Sequence, residues 1–283
     1  MRVSESCAAC LYDKQRNLTC DPEYLSAVRT IIENRSKTDT APYLIYLFRL
    51  EYEKRFGKSE PYREIKRKYN DLVLGMENRL RDQIEASEDP LKTALLYARA
   101  GNYIDFGAMN EVDEDTFLSL LDSVPFRPED EPVMESFFND CEKAGRFLLV
   151  TDNCGEIVLD KLFLEQLIKH YPALQLQVLV RGQEVLNDAT EEDAVYTGMD
   201  QLAEIIPNGL PMAGTVYERL PEKAREAMDR ADVILAKGQG NYETLSHQGR
   251  HIFYSFLCKC DLFTERFRVL PLTGVFAEEN REN

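Results

Sequence analysis

The hydrophobic period of this chain changes once, near Lys143-Ala144-Gly145, and that change limits the folds open to it. From about Asp21 to Ala144 apolar residues recur at intervals of three and four, as they do along one face of a helix. Tyr24, Ala27, Val28, Ile31 and Ile32 follow a helix start signal at Asp21-Pro22. The pattern continues through 43–56, 62–84 and 91–103, with Pro42, Gly57, Pro61 and Pro90 as breakers. After Gly145 short apolar runs alternate with helical ones. Strands are expected at 147–150, 174–180, 233–236 and, last, 252–257, and helices at 157–169 and near 191–205 and 221–230. Such alternation implies right-handed crossovers and a parallel sheet covered on both faces. The expected architecture is a mainly α-helical domain over 1–144 packed on a doubly wound, parallel-sheet α/β domain over 145–283. Arg63, Lys66, Arg67 and Lys68 read as a solvated helix face, and 278–283 as a polar tail.

Charge narrows the function classes. The chain carries 50 acidic and 34 basic residues, a net charge of −16. A phosphate-backbone binder needs clustered Lys and Arg, so a nucleic-acid partner is not expected. A small anionic substrate needs only a local cationic pocket and a metal. No apolar run reaches eighteen residues and Met1-Arg2-Val3-Ser4-Glu5 lacks a signal-peptide core, so no membrane is expected and the protein is read as cytoplasmic. Oligomeric state is not legible.

Seven cysteines without a secreted context make a disulfide framework improbable. Cys7-Ala8-Ala9-Cys10 has CxxC spacing, but Cys258-Lys259-Cys260 is a poor second pair for zinc, and reduced cysteines in a core are the simpler reading. His170, His247 and His251 form no metal-binding pattern.

The richest segment is Phe147 to Leu167. Phe147-Leu148-Leu149-Val150 reads as a buried strand, Thr151-Asp152-Asn153-Cys154-Gly155-Glu156 as a polar turn, and an apolar helix follows. Asp152 and Asn153 thereby stand at the carboxyl end of a strand beside a helix N-terminus, where ligands collect in open α/β sheets. A carboxylate and an amide oxygen suit a hard divalent cation such as Mg or Mn. They equally suit helix capping. Asp188, in Asn187-Asp188-Ala189-Thr190, is open to the same two readings. Lys237-Gly238-Gln239-Gly240-Asn241, read as a loop after the 233–236 strand, offers a point charge and two glycines that let backbone amides approach a phosphate, without P-loop or dinucleotide spacing. Lys237 is expected to act on substrate phosphate, with pairing to a structural carboxylate such as Glu243 as the competing view. Cys154 at the turn is a lesser candidate nucleophile, since a thiolate would be stabilised there. Glu156 and Asp160 share a helix face, and either orients a ligand or is solvated.

Taken in order, Asp152-Asn153-Cys154-Gly155-Glu156 with Asp160, Asn187-Asp188-Ala189-Thr190, and Lys237-Gly238-Gln239-Gly240-Asn241-Tyr242-Glu243 resemble the metal-dependent damage-control phosphatases, formerly a domain of unknown function. Cys7-Ala8-Ala9-Cys10, Pro61-Tyr62 with Ile65-Lys66, and Gly101-Asn102-Tyr103-Ile104-Asp105-Phe106-Gly107 extend the resemblance from about residue 7 to 275. The CxxC pair marks one branch of that family. The resemblance implies a helical domain on an α/β domain, and a divalent cation (Mg, Mn, Co or Ni) held by Asp152, Asn153 and Asp188. It also implies Lys237 near the phosphate. Cys154 departs from the small residue, such as Ala, that many relatives carry.

The expected function is metal-dependent hydrolysis of small phosphorylated metabolites, sugar phosphates or damaged cofactor phosphates. Asp152 and Lys237 would be catalytic, while Gly238, Gly240, Asn241 and Glu156 would bind substrate. The attacking group is either water or a carboxylate, Asp152 first. The rival readings are an S-adenosylmethionine-dependent carboxyl methyltransferase, against which TDNCGE carries one glycine, and a noncatalytic metabolite-binding protein.

Overall fold

The computed structural model describes residues 1–57, 62–104, 114–122 and 126–280. Before the first strand the described chain is helical: α1 (Glu5–Leu18), α2 (Pro22–Glu33), α3 (Ala41–Phe56), α4 (Arg63–Ala86), α5 (Pro90–Gly101), α6 (Glu114–Asp122) and α7 (Glu131–Lys143). The starts follow their local chemistry. Asp21 accepts the Tyr24 amide at 2.8 Å and Asp89 accepts the Lys92 amide at 3.0 Å, each with a proline at the first helical position. Pro61 and Asp105-Phe106-Gly107 lie outside the described residues.

From Arg146 onward strands and helices alternate: β1 (Arg146–Val150), α8 (Glu156–His170), β2 (Gln175–Val180), α9 (Glu191–Thr197), β3 (Glu204–Pro207), α10 (Glu222–Arg230), β4 (Val233–Lys237), α11 (Gln239–Leu245), β5 (Ile252–Leu257), α12 (Asp261–Phe267) and β6 (Gly274–Glu279). The sheet order is β3-β2-β1-β4-β5-β6. All pairings are parallel except β5 with β6, which is antiparallel. Chain order runs outward in both directions from the β1–β4 pair, so the topological switch point lies between those two strands.

The sheet is apolar on both faces because both are covered. Phe147 and Leu149 pack with α4, α5, α7 and α8 residues, among them Val73, Leu95, Phe137 and Leu159. Leu148 and Val150 face the other way, with Leu220, Ala224 and Met228 around α10. Each fully buried aliphatic or aromatic side chain contributes roughly 1.5–3 kcal/mol. Helices α4, α5 and α7 thus share a core with the sheet, while α1–α3 enclose their own around Leu11, Tyr24, Val28, Leu44 and Phe48.

Four expectations are corrected. The run 191–205 is not one helix: α9 stops at left-handed Gly198, and Glu204–Pro207 joins the sheet as a short edge strand. The segment after Lys237 is a helix from Gln239 rather than an open loop. The last strand is not 252–257, because Gly274–Glu279 returns antiparallel beside it, taking Glu278 out of the supposed tail; 281–283 lie outside the described residues. Lys66 does not belong to a solvated face either. It is 3% exposed and pairs with Asp193 at 2.5 Å and Glu184 at 3.2 Å, because α4 packs against α9.

Candidate active site

The loops that follow β1, β2 and β4 meet at the switch point, where an open α/β sheet leaves a crevice. Backbone hydrogen bonds join the first two: Ala189 N donates to Asp152 O at 2.8 Å, and Cys154 N donates to Asn187 O at 2.8 Å. An isolated antiparallel bridge pairs Asn153 with Asp188. The three oxygen-bearing residues singled out as metal ligands, Asp152, Asn153 and Asp188, are therefore brought together, and all three are buried.

Asp152 Oδ2 accepts from Asn153 Nδ2 at 2.8 Å and from Asn102 Nδ2 at 2.9 Å. Both amides also reach Glu156 Oε2, each at 3.0 Å, so two side-chain NH2 groups bridge the same two carboxylates. Asn102 caps α5, and its Oδ1 accepts the Leu257 amide at 3.1 Å, tying the helical segment and β5 to the crevice. With Nδ2 so engaged, Asn153 Oδ1 takes no hydrogen bond among the described residues.

Arg181, at the end of β2, was not singled out from the sequence. Its guanidinium is 1% exposed. Nε donates to Asp188 Oδ2 at 2.6 Å, Nη2 reaches Asp152 Oδ1 at 3.4 Å, and Nη1 donates to Gly214 O, Thr215 Oγ1 and Asn241 Oδ1 at 3.1, 3.3 and 3.2 Å. The available signal was an arginine closing an apolar strand seven residues before a candidate ligand aspartate.

Lys237 is the main correction to the expected site. It is the last residue of β4, fully buried, and its ammonium contacts Glu156 Oε1 at 2.6 Å, Asp160 Oδ1 at 2.6 Å and Ala98 O at 2.9 Å. Its three N–H donors match those three acceptors, which leaves none for a substrate phosphate. Its carboxylate partners are on α8 rather than at Glu243. Burial alone would pull this ammonium down, but Asp160 and Glu156 hold it above its usual value. Burial in turn pushes Asp160 up to about 7, against the pull of Lys237, and Glu156 adds to the rise.

The expected substrate-binding residues are also turned inward. Glu156 is fully buried between Lys237 and the two asparagines. Asn241 donates to Thr151 O at 2.9 Å and Lys237 O at 2.7 Å, while its Oδ1 accepts from Thr215 Oγ1 at 2.9 Å and from Arg181, so it locks loops together. Gly238 has φ +81°, and a Cβ there would stand 2.0 Å from Asp152 Oδ2; its amide is committed to Ser255 O at 3.1 Å. A Cβ on Gly240 would meet Ala213 O at 2.7 Å. Both glycines thus permit close packing within the site. Cys154 is fully buried, and burial raises its thiol, the opposite of the lowering that a stabilised thiolate at this turn needs.

Among the described residues no group of three or more His, Cys, Asp or Glu side chains is arranged to hold a metal, and no helix is long and apolar enough to cross a membrane. A cavity of about 120 Å³ between α4 and α9, lined by Arg63, Lys66, Asn70 and Tyr196 among others, touches the site through Asn70, whose Oδ1 accepts the Gly155 amide at 2.6 Å.

The chain is similar to several known proteins over most of its length. A damage-control phosphatase from Archaeoglobus fulgidus is 29% identical over 279 residues, covering 92% of this chain and 93% of the relative. The uncharacterized protein MJ0202 from Methanocaldococcus jannaschii is 30% identical, covering 75% and 71%. The damage-control phosphatase PH1575 from Pyrococcus horikoshii is 29% identical, covering 78% and 75%. The crystal structure of PH1575, described as a DUF89 family protein, superposes with a TM-score of 0.75 at 25% identity, covering 98% of this chain and 99% of that one. The model of the damage-control phosphatase ARMT1-like domain matches residues 6–269, and the chain belongs to that family.

Proposed function

We propose that this chain hydrolyses phosphate monoesters of small metabolites with the help of a divalent cation held at Asp152, Asn153 and Asp188. The observation that carries the reading is the convergence at the switch point of two aspartates and an amide oxygen that has no hydrogen-bond partner among the described residues, in a member of a phosphatase family. The residues fit a cation on two grounds. The donor set is all oxygen, as a hard cation prefers. Asp152, Glu156, Asp160 and Asp188 are all buried, and their ion pairs to Arg181 and Lys237 set four carboxylates beside two cations among the described residues. Buried charge without compensation is costly, and a divalent ion would supply what is missing. When bound, the cation would neutralise phosphate charge as the ester bond breaks.

The chain's own residues do the remaining work. Asn102 and Asn153 donate to Asp152 Oδ2 and fix the plane of that carboxylate. Lys237 holds Glu156, which in turn accepts from both asparagines, so it is a positioning residue that acts at second hand. Among the described residues no feature favours the methyltransferase or the noncatalytic alternative.

The test is p-nitrophenyl phosphate hydrolysis with Mg, Mn, Co or Ni salts, then with chelator, alongside a measurement of S-adenosylmethionine binding. Nitrophenol release that stops with chelator is expected. Release that ignores chelator would remove the cation from the mechanism. S-adenosylmethionine binding without hydrolysis would replace the proposal altogether.

A further inference from the structure

We infer that Arg181 is a built-in counter-ion that holds Asp152 and Asp188 together while no divalent cation is bound, and that it weakens the cation's grip as it does so. This rests on the cation site proposed above. The guanidinium is anchored on one side by Asp188 at 2.6 Å and by the neutral acceptors Gly214 O, Thr215 Oγ1 and Asn241 Oδ1. On the other side it only reaches Asp152, at 3.4 Å. The firm anchor and the loose one have different consequences. Asp188 is held in place, whereas Asp152 Oδ1 is the oxygen an entering cation takes most easily from the arginine.

Two electrostatic effects follow from that placement. Without a cation, Arg181 offsets the repulsion between two carboxylates that burial has stripped of water. With a cation, the fixed positive charge of a guanidinium, which does not deprotonate, lies beside the incoming ion and opposes it. Lys237 does not substitute, because its donors are committed to Glu156, Asp160 and Ala98 O. Removing the Arg181 charge therefore destabilises the cation-free protein and enlarges the stabilisation that a cation gives, since a ligand bound only by the folded state stabilises it according to its affinity.

The experiment compares thermal unfolding of the full chain, of Arg181→Met and of Arg181→Lys, each in chelator and in saturating Mn2+, with Mn2+ affinity read from the free-ion electron paramagnetic resonance signal. The parent midpoint should rise with Mn2+. Arg181→Met should unfold earlier in chelator, and its rise with Mn2+ should exceed the parent's by about twofold or more, with tighter Mn2+ binding. Arg181→Lys keeps the charge and should stay near the parent in both readings. An Arg181→Met that folds only with Mn2+ supports the inference, and one that stays unfolded in both conditions overturns it. An equal or smaller rise than the parent's, or weaker binding, makes Arg181 scaffold alone. A parent midpoint that ignores Mn2+ overturns the cation site itself, and that failure shows in the parent before any variant is considered.

Discussion

Arg181 and Lys237 are both buried cations at the carboxyl ends of β2 and β4, the two strands that flank β1, and each is paired with two carboxylates. Arg181 spreads its contacts over the loops after β1 and β2, over Asn241 of α11 and over Gly214-Thr215, so its planar fork fixes where those segments stand. Lys237 gathers its contacts at one point, binding two carboxylates of a single helix and the end of α5. The arginine sets geometry among candidate ligands. The lysine sets charge among their supports. A residue type that reads as catalytic in a motif is here assigned to the interior by partners that the motif does not contain.

The largest effect should come from the candidate ligands themselves. Asp152→Ala and Asp188→Ala should each lower chelator-sensitive phosphatase activity by more than about a hundredfold, beyond the loss typical of an outer-shell partner. Circular dichroism should show both variants folded. Activity near the parent's in both would leave Arg181 and Lys237 as two ordinary buried ion pairs with no site between them.

A second substitution sharpens the contrast. Lys237→Met leaves Glu156 and Asp160 buried without their cation, and breaking such a pair from one side costs about 3–5 kcal/mol. Denaturant unfolding should show that loss, with activity falling in step with the folded fraction. Near-parental stability with a large loss of turnover would return Lys237 to the phosphate. Asp160 adds a pH signature. Its folded value of about 7 lies above its ordinary value of 3.8, so between those limits the unfolded chain has released a proton that the folded chain keeps. Its contribution to stability is therefore complete below about pH 4, falls as pH rises towards 7, and is flat above. Glu243, also pushed up to about 7 by burial, contributes in the same direction, so the Asp160 share is the slope lost in Asp160→Asn between pH 5 and 8. An unchanged slope would show that Lys237 keeps Asp160 ionised throughout.

What was legible in the sequence follows from range. β1, the Asp152 turn and α8 could be read because the strand run, the polar turn and the long apolar helix are contiguous. The change of period at Gly145 was legible because many helical turns precede it. β3 was hidden because Glu204-Ile205-Ile206 is too short to announce a strand after a helical run, and α11 because seven residues opening on Gly238 resemble a loop. β6 carries the antiparallel exception that strand–helix alternation does not foresee. The partners of Lys237 stand 77 and 81 residues away, beyond any local pattern, although the shared face of Glu156 and Asp160 was visible. The nearness of Asp152 and Asp188 was easier to foresee, because two neighbouring strands bring them to the same sheet edge.

The smallest effect is expected far from both cations. Cys7 is half-buried and Cys10 exposed on α1, whose core is shared with α2 and α3. Burial first, then Glu243 and the neighbouring Cys10 and Cys260, push the Cys7 thiol up to about 11. A thiol so raised stays protonated at neutral pH and is a poor nucleophile and a poor metal ligand. The link to the site runs through Glu243 on α11, the helix that also carries Asn241. That link is electrostatic and vanishes while both groups are neutral. Cys7→Ser/Cys10→Ser should therefore keep turnover within about twofold of the parent, the scale of a substitution away from a buried network. A loss beyond about tenfold with the fold intact would mean that α1 holds α11 in register, and that the hold on Asn241 begins outside the crevice.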